Sequence, residues 1–219
     1  MDSTKINYLQ AMGIQAWQLK QAVSSLSACQ DEPSDTDWQT LRTTVMHCTA
    51  CGLDKTRTQP VFGVGNINAD LMVIGEAPGF NEDQQGEPFV GRAGQLLTAM
   101  LQAIGFERDC VYIANILKCR PPNNRDPLPA EVDLCTPFLE KQIALVQPKL
   151  LLAVGRIAAH FLLNSKASLG QLRNQVHVYG RHQTPLIVTY HPAYLLRNPV
   201  DKSKAFQDLQ SVCRMLQTT

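Results

Sequence analysis

The sequence predicts an α/β protein with a mostly parallel, four-stranded sheet that is covered by helices on both faces. Two observations lead to this prediction. Four short apolar runs alternate with longer amphipathic stretches, and this alternation is typical of βαβ units with a parallel sheet. The runs are also continuously apolar, as expected for strands that are buried on both faces.

The elements follow one another in a regular order. The apolar runs predict strands at residues 71–74, 111–114, 150–154 and 186–190. The amphipathic stretches predict helices at residues 95–104, 129–146, 156–163 and 202–216, because their apolar residues recur at helical spacing. A further helical pattern begins at Trp38 and continues through Leu41 and Val45.

The chain divides into three predicted regions. Residues 1–23 form an arm with a short helix and apolar anchors such as Tyr8, Met12 and Trp17. Residues 24–37 are polar and acidic, which is typical of a flexible linker. Residues 38–219 form the main domain. The arm is therefore expected to be tethered to the domain rather than built into its core.

Composition excludes little. The net charge of +1 gives no global basic signal, so any binding to nucleic acid has to come from local patches. No apolar run approaches the roughly 18 residues of a membrane span, and the amino terminus lacks a basic segment followed by an apolar one. We therefore expect a cytoplasmic, nucleoid-associated protein that does not contact membranes.

The carboxyl ends of the predicted strands are the expected ligand site, as in other open α/β sheets. Those ends are Glu76, Asn115, Gly155 and His191. A glycine-rich loop at residues 75–94 follows the first strand, and its glycines allow backbone N–H groups to approach a ligand. An ordinary tight connection is the alternative. The loop lacks the Gly-Lys-Ser/Thr ending of a phosphate-binding loop.

The cysteines suggest a metal site. Cys48 and Cys51 form a CxxC pair, and Cys119 and Cys135 could complete a set of four thiolates. Such a set could hold zinc or an iron–sulfur cluster. Cys135 could equally be a small core residue on its helix. The remaining cysteines are interpreted as structural: Cys29, Cys110 and Cys213.

Several motifs in a common order closely resemble the family-4 uracil-DNA glycosylases. They are residues 75–79 with Glu82, residues 88–94, Asn115 with residues 118–122, and residues 191–197. The resemblance extends from about Trp38 to the end of the chain. It implies a three-layer α/β/α fold, excision of uracil from DNA, and a 4Fe-4S cluster held by Cys48, Cys51, Cys119 and Cys135.

The residue types fit that chemistry. An enzyme that acts on a base must flip it out of the duplex and read it in a pocket. Phe89 could stack on the base, and the Asn115 amide could pair with the O4 and N3–H edge of uracil. A neutral His191 could donate a hydrogen bond to O2 as negative charge develops there. For each residue, a capping, turn or core role is the structural alternative.

The other expected contacts surround this group. Glu76 and Glu82 are candidates for positioning water or stabilising the sugar cation, and the backbone N–H of Ala77 could assist at the oxyanion. Leu195 or Leu196 could fill the space that the flipped base leaves, with core packing as the alternative. Arg197 could hold a phosphate. The family's Arg-Gly pair is Arg173-Asn174 in this sequence, which leaves a phosphate contact by Ser168 or Arg173 open.

The amino-terminal arm resembles a different protein. Residues 8–20 look like the peptide by which the psi subunit of bacterial DNA polymerase III holds the chi subunit. Apolar anchors on a tethered arm suit a partner groove, although the arm could also pack on its own domain. The leading hypothesis is a monomeric, monofunctional uracil-DNA glycosylase. A non-catalytic DNA-binding or replisome-adaptor protein and a zinc-stabilised nucleotide hydrolase are the alternatives.

Overall fold

The computed structural model describes residues 35–180 and 183–217, and it has the predicted α/β class. The strands are β1 (Val64–Gly65), β2 (Leu71–Gly75), β3 (Tyr112–Asn115), β4 (Leu150–Val154), β5 (His177–Tyr179) and β6 (Thr184–Thr189). They form one sheet in the order β1-β3-β2-β4-β6-β5. The four predicted strands are its parallel centre, and the strand count is corrected from four to six.

The helices cover the sheet. They are α1 (Asp35–Met46), α2 (Phe80–Gln85), α3 (Arg92–Gln102), α4 (Pro129–Val146), α5 (Arg156–Leu162), α6 (Leu169–Leu172), α7 (Pro192–Arg197) and α8 (Lys202–Gln217). Short 3₁₀ turns lie at Leu53–Lys55, Arg108–Cys110, Pro122–Asn124 and Pro199–Asp201. In the described part of the chain, no helix is long and apolar enough to cross a membrane.

Both faces of the central strands are buried, which explains their continuously apolar sequences. Leu71 and Val73 of β2 pack with residues of α3 and α8 on one face. Met72 and Ile74 pack with residues of α4 and α5 on the other face. Successive side chains of a strand point to opposite faces, so one apolar run supplies both cores. The result is the three-layer α/β/α arrangement.

The two additional strands are short edge strands that run antiparallel to their neighbours. β1 has only two residues and pairs with β3, and β5 pairs with β6. The side chains of β5 are half-buried or exposed. Such short, partly exposed segments lack the apolar run by which the central strands were predicted.

The parallel register brings the strand ends together. Gly75 at the end of β2 pairs with Asn115 at the end of β3, and Val154 of β4 pairs with Thr189 of β6. The residues that follow these strands therefore lie along the same edge of the sheet. This edge carries the candidate site.

The amino-terminal predictions lie mostly outside the described residues. The arm at 1–23 and most of the linker at 24–37 fall there. The first described helix, α1, begins at Asp35, within the stretch that the sequence predicts as linker.

Candidate active site

A cavity of about 470 Å³ opens at the carboxyl edge of the parallel strands, a size typical of small-molecule sites. Seven of the predicted site residues line it, from segments that are far apart in the chain. They are Glu76, Ala77, Glu82, Phe89, Asn115, His191 and Arg197.

Gly75 allows two of these side chains to meet. A Cβ atom on Gly75 would lie 2.3 Å from Asn115 Oδ1 and 2.6 Å from Phe89 Cζ. Both distances are far below van der Waals contact, so any side chain at this position would displace Asn115, Phe89 or both. The glycine at the end of β2 therefore shapes the cavity by close approach rather than by binding a phosphate.

Phe89 is held in an unusual backbone conformation. Its φ is 54°, which is rare for a bulky residue and is found where the surrounding structure imposes it. Gly94 in α3 packs directly on it, because a Cβ there would lie 1.7 Å from the Phe89 carbonyl oxygen. The Phe89 ring lies 5.7 Å from the His191 ring, centroid to centroid. The loop thus presents a rigid aromatic surface to the cavity.

Asn115 lines the cavity although it is only 3% exposed. Its backbone carbonyl accepts a hydrogen bond from the buried Lys118 Nζ at 2.7 Å, and Lys118 also donates to Gln142 Oε1 at 2.6 Å. The Gln142 amide in turn donates to the Tyr112 hydroxyl at 3.0 Å. This buried network fixes the strand end that carries Asn115.

His191 is the N-cap of α7, and its tautomer follows from its contacts. The backbone N–H of Ala193 donates to Nδ1 at 3.2 Å, so the proton of the neutral ring lies on Nε2. Burial, assisted by the positive charge of Arg197, lowers the pKa of His191 to about 4. The ring is therefore a neutral Nε2–H donor at physiological pH, as the sequence analysis expects.

Burial shifts the pKa of Glu76 as well, but upward. Burial and, to a smaller extent, the nearby Asp126 carboxylate raise its pKa to about 7, and the positive charge of Arg156 partly opposes this shift. Arg156 itself is paired with Asp126 at 3.2 Å. Glu76 is thus close to half-ionised at neutral pH. A pKa near the working pH suits a general base.

Glu82 lines the cavity, but its carboxylate is engaged by the backbone. Oε2 accepts from the Gly79 N–H at 3.1 Å, and Oε1 accepts from the N–H groups of Val90 and Gly91 at 3.1 and 3.2 Å. We interpret Glu82 as a residue that positions the loop, and its direct contact with substrate stays a prediction. Glu82 ties the two halves of the glycine-rich loop together and so positions Phe89.

Leu195 does not reach the cavity, and its predicted entry into the DNA is corrected. Its side chain is completely buried and belongs to the core on the α3 and α8 face of the sheet. Leu195 therefore has the structural role that was the alternative for it, packing in the core. Leu196 is 36% exposed beside it, because consecutive helical residues point in different directions.

Arg173 is part of the core rather than a phosphate ligand. Its Nε donates to Asp208 Oδ2 at 2.7 Å, and both side chains are almost fully buried. The same carboxylate oxygen accepts from Thr189 Oγ1 at 2.8 Å. A phosphate contact by Arg173 is therefore not available.

The four predicted cysteine ligands line one small, largely apolar cavity, with Leu134 and Phe138 among its other residues. Two of the sulfur atoms accept hydrogen bonds. Arg57 donates to Cys119 Sγ at 2.8 Å, and the Lys118 backbone N–H donates to Cys135 Sγ at 3.3 Å. Within residues 35–180 and 183–217, no three His, Cys, Asp or Glu side chains are arranged to hold a single metal ion. The chemistry of the lining, four cysteines around one apolar cavity with donors to two of the sulfur atoms, fits a thiolate-ligated cluster.

Sequence reasoning missed some residues of the site. Asp126 lines both the 470 Å³ cavity at the strand ends and an adjacent cavity. Tyr190 and Tyr194 also line the adjacent cavity. The two tyrosine rings stack with centroids 5.1 Å apart. Tyr190 directly precedes His191 at a strand end, so its position carried a signal. No sequence pattern distinguishes Asp126 from other acidic loop residues.

Comparisons with known proteins agree with this geometry. Residues 62–210 match the model of the uracil DNA glycosylase superfamily. The chain is 42% identical over 174 residues to a type-4 uracil-DNA glycosylase of Archaeoglobus fulgidus, covering 77% of this chain and 87% of that protein. It is 46% identical over 156 residues to the type-4 uracil-DNA glycosylase of Thermotoga maritima, covering 70% and 80%. This chain is accordingly a member of the type-4 family within the uracil-DNA glycosylase superfamily.

Proposed function

We propose that this chain is a monofunctional uracil-DNA glycosylase, which hydrolyses the N-glycosidic bond of a flipped-out uracil and leaves an abasic site. One observation supports this most strongly: Phe89, Asn115 and His191 meet in a single cavity at the ends of parallel strands. The similarity to type-4 uracil-DNA glycosylases along most of the chain agrees with it.

Recognition of uracil is assigned to Phe89 and Asn115. The base stacks against the Phe89 ring, and the Asn115 amide donates to O4 and accepts from N3–H. Cytosine presents the opposite pattern of donor and acceptor on this edge. A mismatched buried amide costs about 1–3 kcal/mol, so Asn115 contributes selectivity that is useful but limited.

Departure of the base is assigned to His191. Negative charge grows on uracil O2 as the bond to the sugar breaks, and the Nε2–H of a neutral His191 donates a hydrogen bond to it. Ala77 lines the same cavity, and its backbone N–H is assigned as a second donor. Donors held in place before the reaction stabilise such charge without reorganisation.

Attack by water is assigned to Glu76. Its carboxylate, with a pKa of about 7, can orient a water molecule and accept its proton as the bond to the sugar C1′ forms. Ionised Glu76 also stabilises the cationic sugar by its charge. Of the two candidates, Glu76 and Glu82, we thus propose Glu76 for this role.

The iron–sulfur cofactor is assigned to Cys48, Cys51, Cys119 and Cys135. A bound 4Fe-4S cluster would cross-link the fold, because the cysteines belong to three separate segments of the chain. Among the elements it would hold is the loop after Cys119, which carries Arg125 to the cavity.

Contacts with DNA outside the cavity are assigned to exposed groups. Arg197 lies at the cavity and is solvent-exposed, so it can hold a phosphate. Leu196 is the leucine available to enter the space left by the flipped base. Uracil-containing DNA is thus the proposed partner of the cavity and its rim.

A direct assay tests the proposed activity. The protein, with its cluster intact, is incubated with an oligonucleotide that contains one uracil, and abasic sites are then cleaved with alkali. We expect one cleavage product that depends on both the uracil and the alkali. Tight binding to uracil or abasic DNA without base release would instead favour a non-catalytic DNA-binding protein.

The remaining proposals concern the environment of the protein. That the enzyme is a monomer, and that it is cytoplasmic and associated with the nucleoid, stay predictions. The comparisons lend no support to the psi-like identity of the arm, so binding of the chi subunit through residues 1–23 also remains a prediction. Co-purification of the chi subunit with the full chain, and not with a chain lacking residues 1–23, would test it.

A further inference from the structure

An exposed aromatic side chain lies next in the chain to the residues that line the cavity. Phe80, the first residue of α2, is 56% exposed, and it follows Gly79, which lines the cavity. The guanidinium of Arg120 lies over the Phe80 ring, 5.0 Å from its centroid. Arg120 in turn precedes Pro121, another lining residue. Phe80 and Arg120, the lip pair, therefore connect the two loops that border the cavity.

The lip pair is held in place from both sides. Arg120 Nε donates to Asn124 Oδ1 at 2.7 Å, and Asn124 itself lines the cavity. On the other side, Glu82 accepts from the backbone N–H of Gly79 at 3.1 Å. More than half of the Phe80 surface nevertheless remains open to solvent. The pair is thus an ordered but uncovered aromatic and cationic surface.

We propose that the lip pair stacks on the base next to the flipped uracil on the same DNA strand. This inference rests on the proposed function and extends the binding site beyond the uracil pocket. Flipping removes a stacking partner from each neighbouring base, and those nucleotides are tethered to the uracil at the cavity mouth. An aromatic ring beside an arginine is suited to a base without regard to its sequence, and the positive charge complements the adjacent phosphate.

A cycle of protein and substrate changes tests the stacking contact. Excision is measured as kcat/KM on single-stranded oligonucleotides in which the base on the 5′ or the 3′ side of uracil is replaced by an abasic spacer. For the wild type, we expect the spacer on one side to lower kcat/KM about tenfold. Phe80→Ala should lower it similarly on the unmodified strand and should not respond to that spacer. Phe80→Tyr should restore the response.

The controls separate this contact from general effects. Phe206→Ala removes another exposed phenylalanine, 42% exposed on α8 and outside the cavity residues, and should respond to the spacer as the wild type does. Equal responses of wild type and Phe80→Ala, with uracil excised normally, would overturn the inference. So would a coupling seen only with the base opposite uracil in a duplex. A wild type that excises no uracil would overturn the proposed function and this inference with it.

Discussion

Neutral His191 is expected to act on the transition state rather than on DNA affinity. Its Nε2–H faces charge that develops only as the bond breaks, and loss of one such donor typically costs a factor of about 10²–10³ in rate. His191→Ala should therefore lower the single-turnover excision rate by about that factor and leave the Kd for uracil DNA nearly unchanged. The control is His47→Ala, which changes an exposed histidine outside the cavity. Equal losses in rate and affinity would contradict the oxyanion role.

Glu76 should determine the acidic side of the pH profile. A base must be ionised, and its pKa of about 7 means that the active form is lost as the pH falls through 7. The excision rate should rise between about pH 6 and 8 and then level off. Glu76→Gln should lower the plateau by about 10²–10⁴-fold and abolish that rise. His191, with a pKa of about 4, should not titrate in this window, so a rise that persists in Glu76→Gln would assign it to another group.

The glycine-rich loop behaves as one element because Glu82 joins its two halves. Glu82→Ala removes the acceptor of three backbone N–H groups, so we expect a loss of about 2–4 kcal/mol in the free energy of unfolding. Loosening of Phe89 should reduce excision as well. Urea unfolding measures the first effect, with exposed Glu140→Ala as the control. If the variant keeps wild-type stability but binds uracil more weakly, this result would support a direct contact between Glu82 and the substrate.

The proposed cluster acts on the whole molecule, since it would join the segment after α1, the loop after β3 and helix α4. The purified protein should be brown and contain iron and sulfide. Cys48→Ala should lose the visible absorbance, unfold at lower temperature and lose most excision activity. The Cys213 thiol donates to the Ile104 carbonyl instead. Cys213→Ala should therefore keep the visible absorbance, the unfolding temperature and the excision activity. A colourless wild type containing zinc would overturn the iron–sulfur assignment.

Much of the fold was accessible from patterns that are local in the chain. The central strands and their helices were predicted within a few residues of their ends, because continuous apolar runs and helical periodicity record burial directly. The edge strands β1 and β5 were missed because they are stabilised by pairing with a neighbour, and pairing leaves little trace in a short segment. The motif residues at the strand ends were found because parallel strands end at one edge.

Side-chain roles depended on distances that no local pattern contains. Leu195 and Glu82 match the family motifs as well as His191 does, yet one is buried in the core and the other is bound by backbone N–H groups. The fold class, the edge of the sheet that carries the cavity and seven of the residues that line it were thus determined by the sequence alone. Only the tertiary structure decided which groups face the cavity, the tautomer of His191 and the raised pKa of Glu76, since each results from contacts between residues that are distant in the chain.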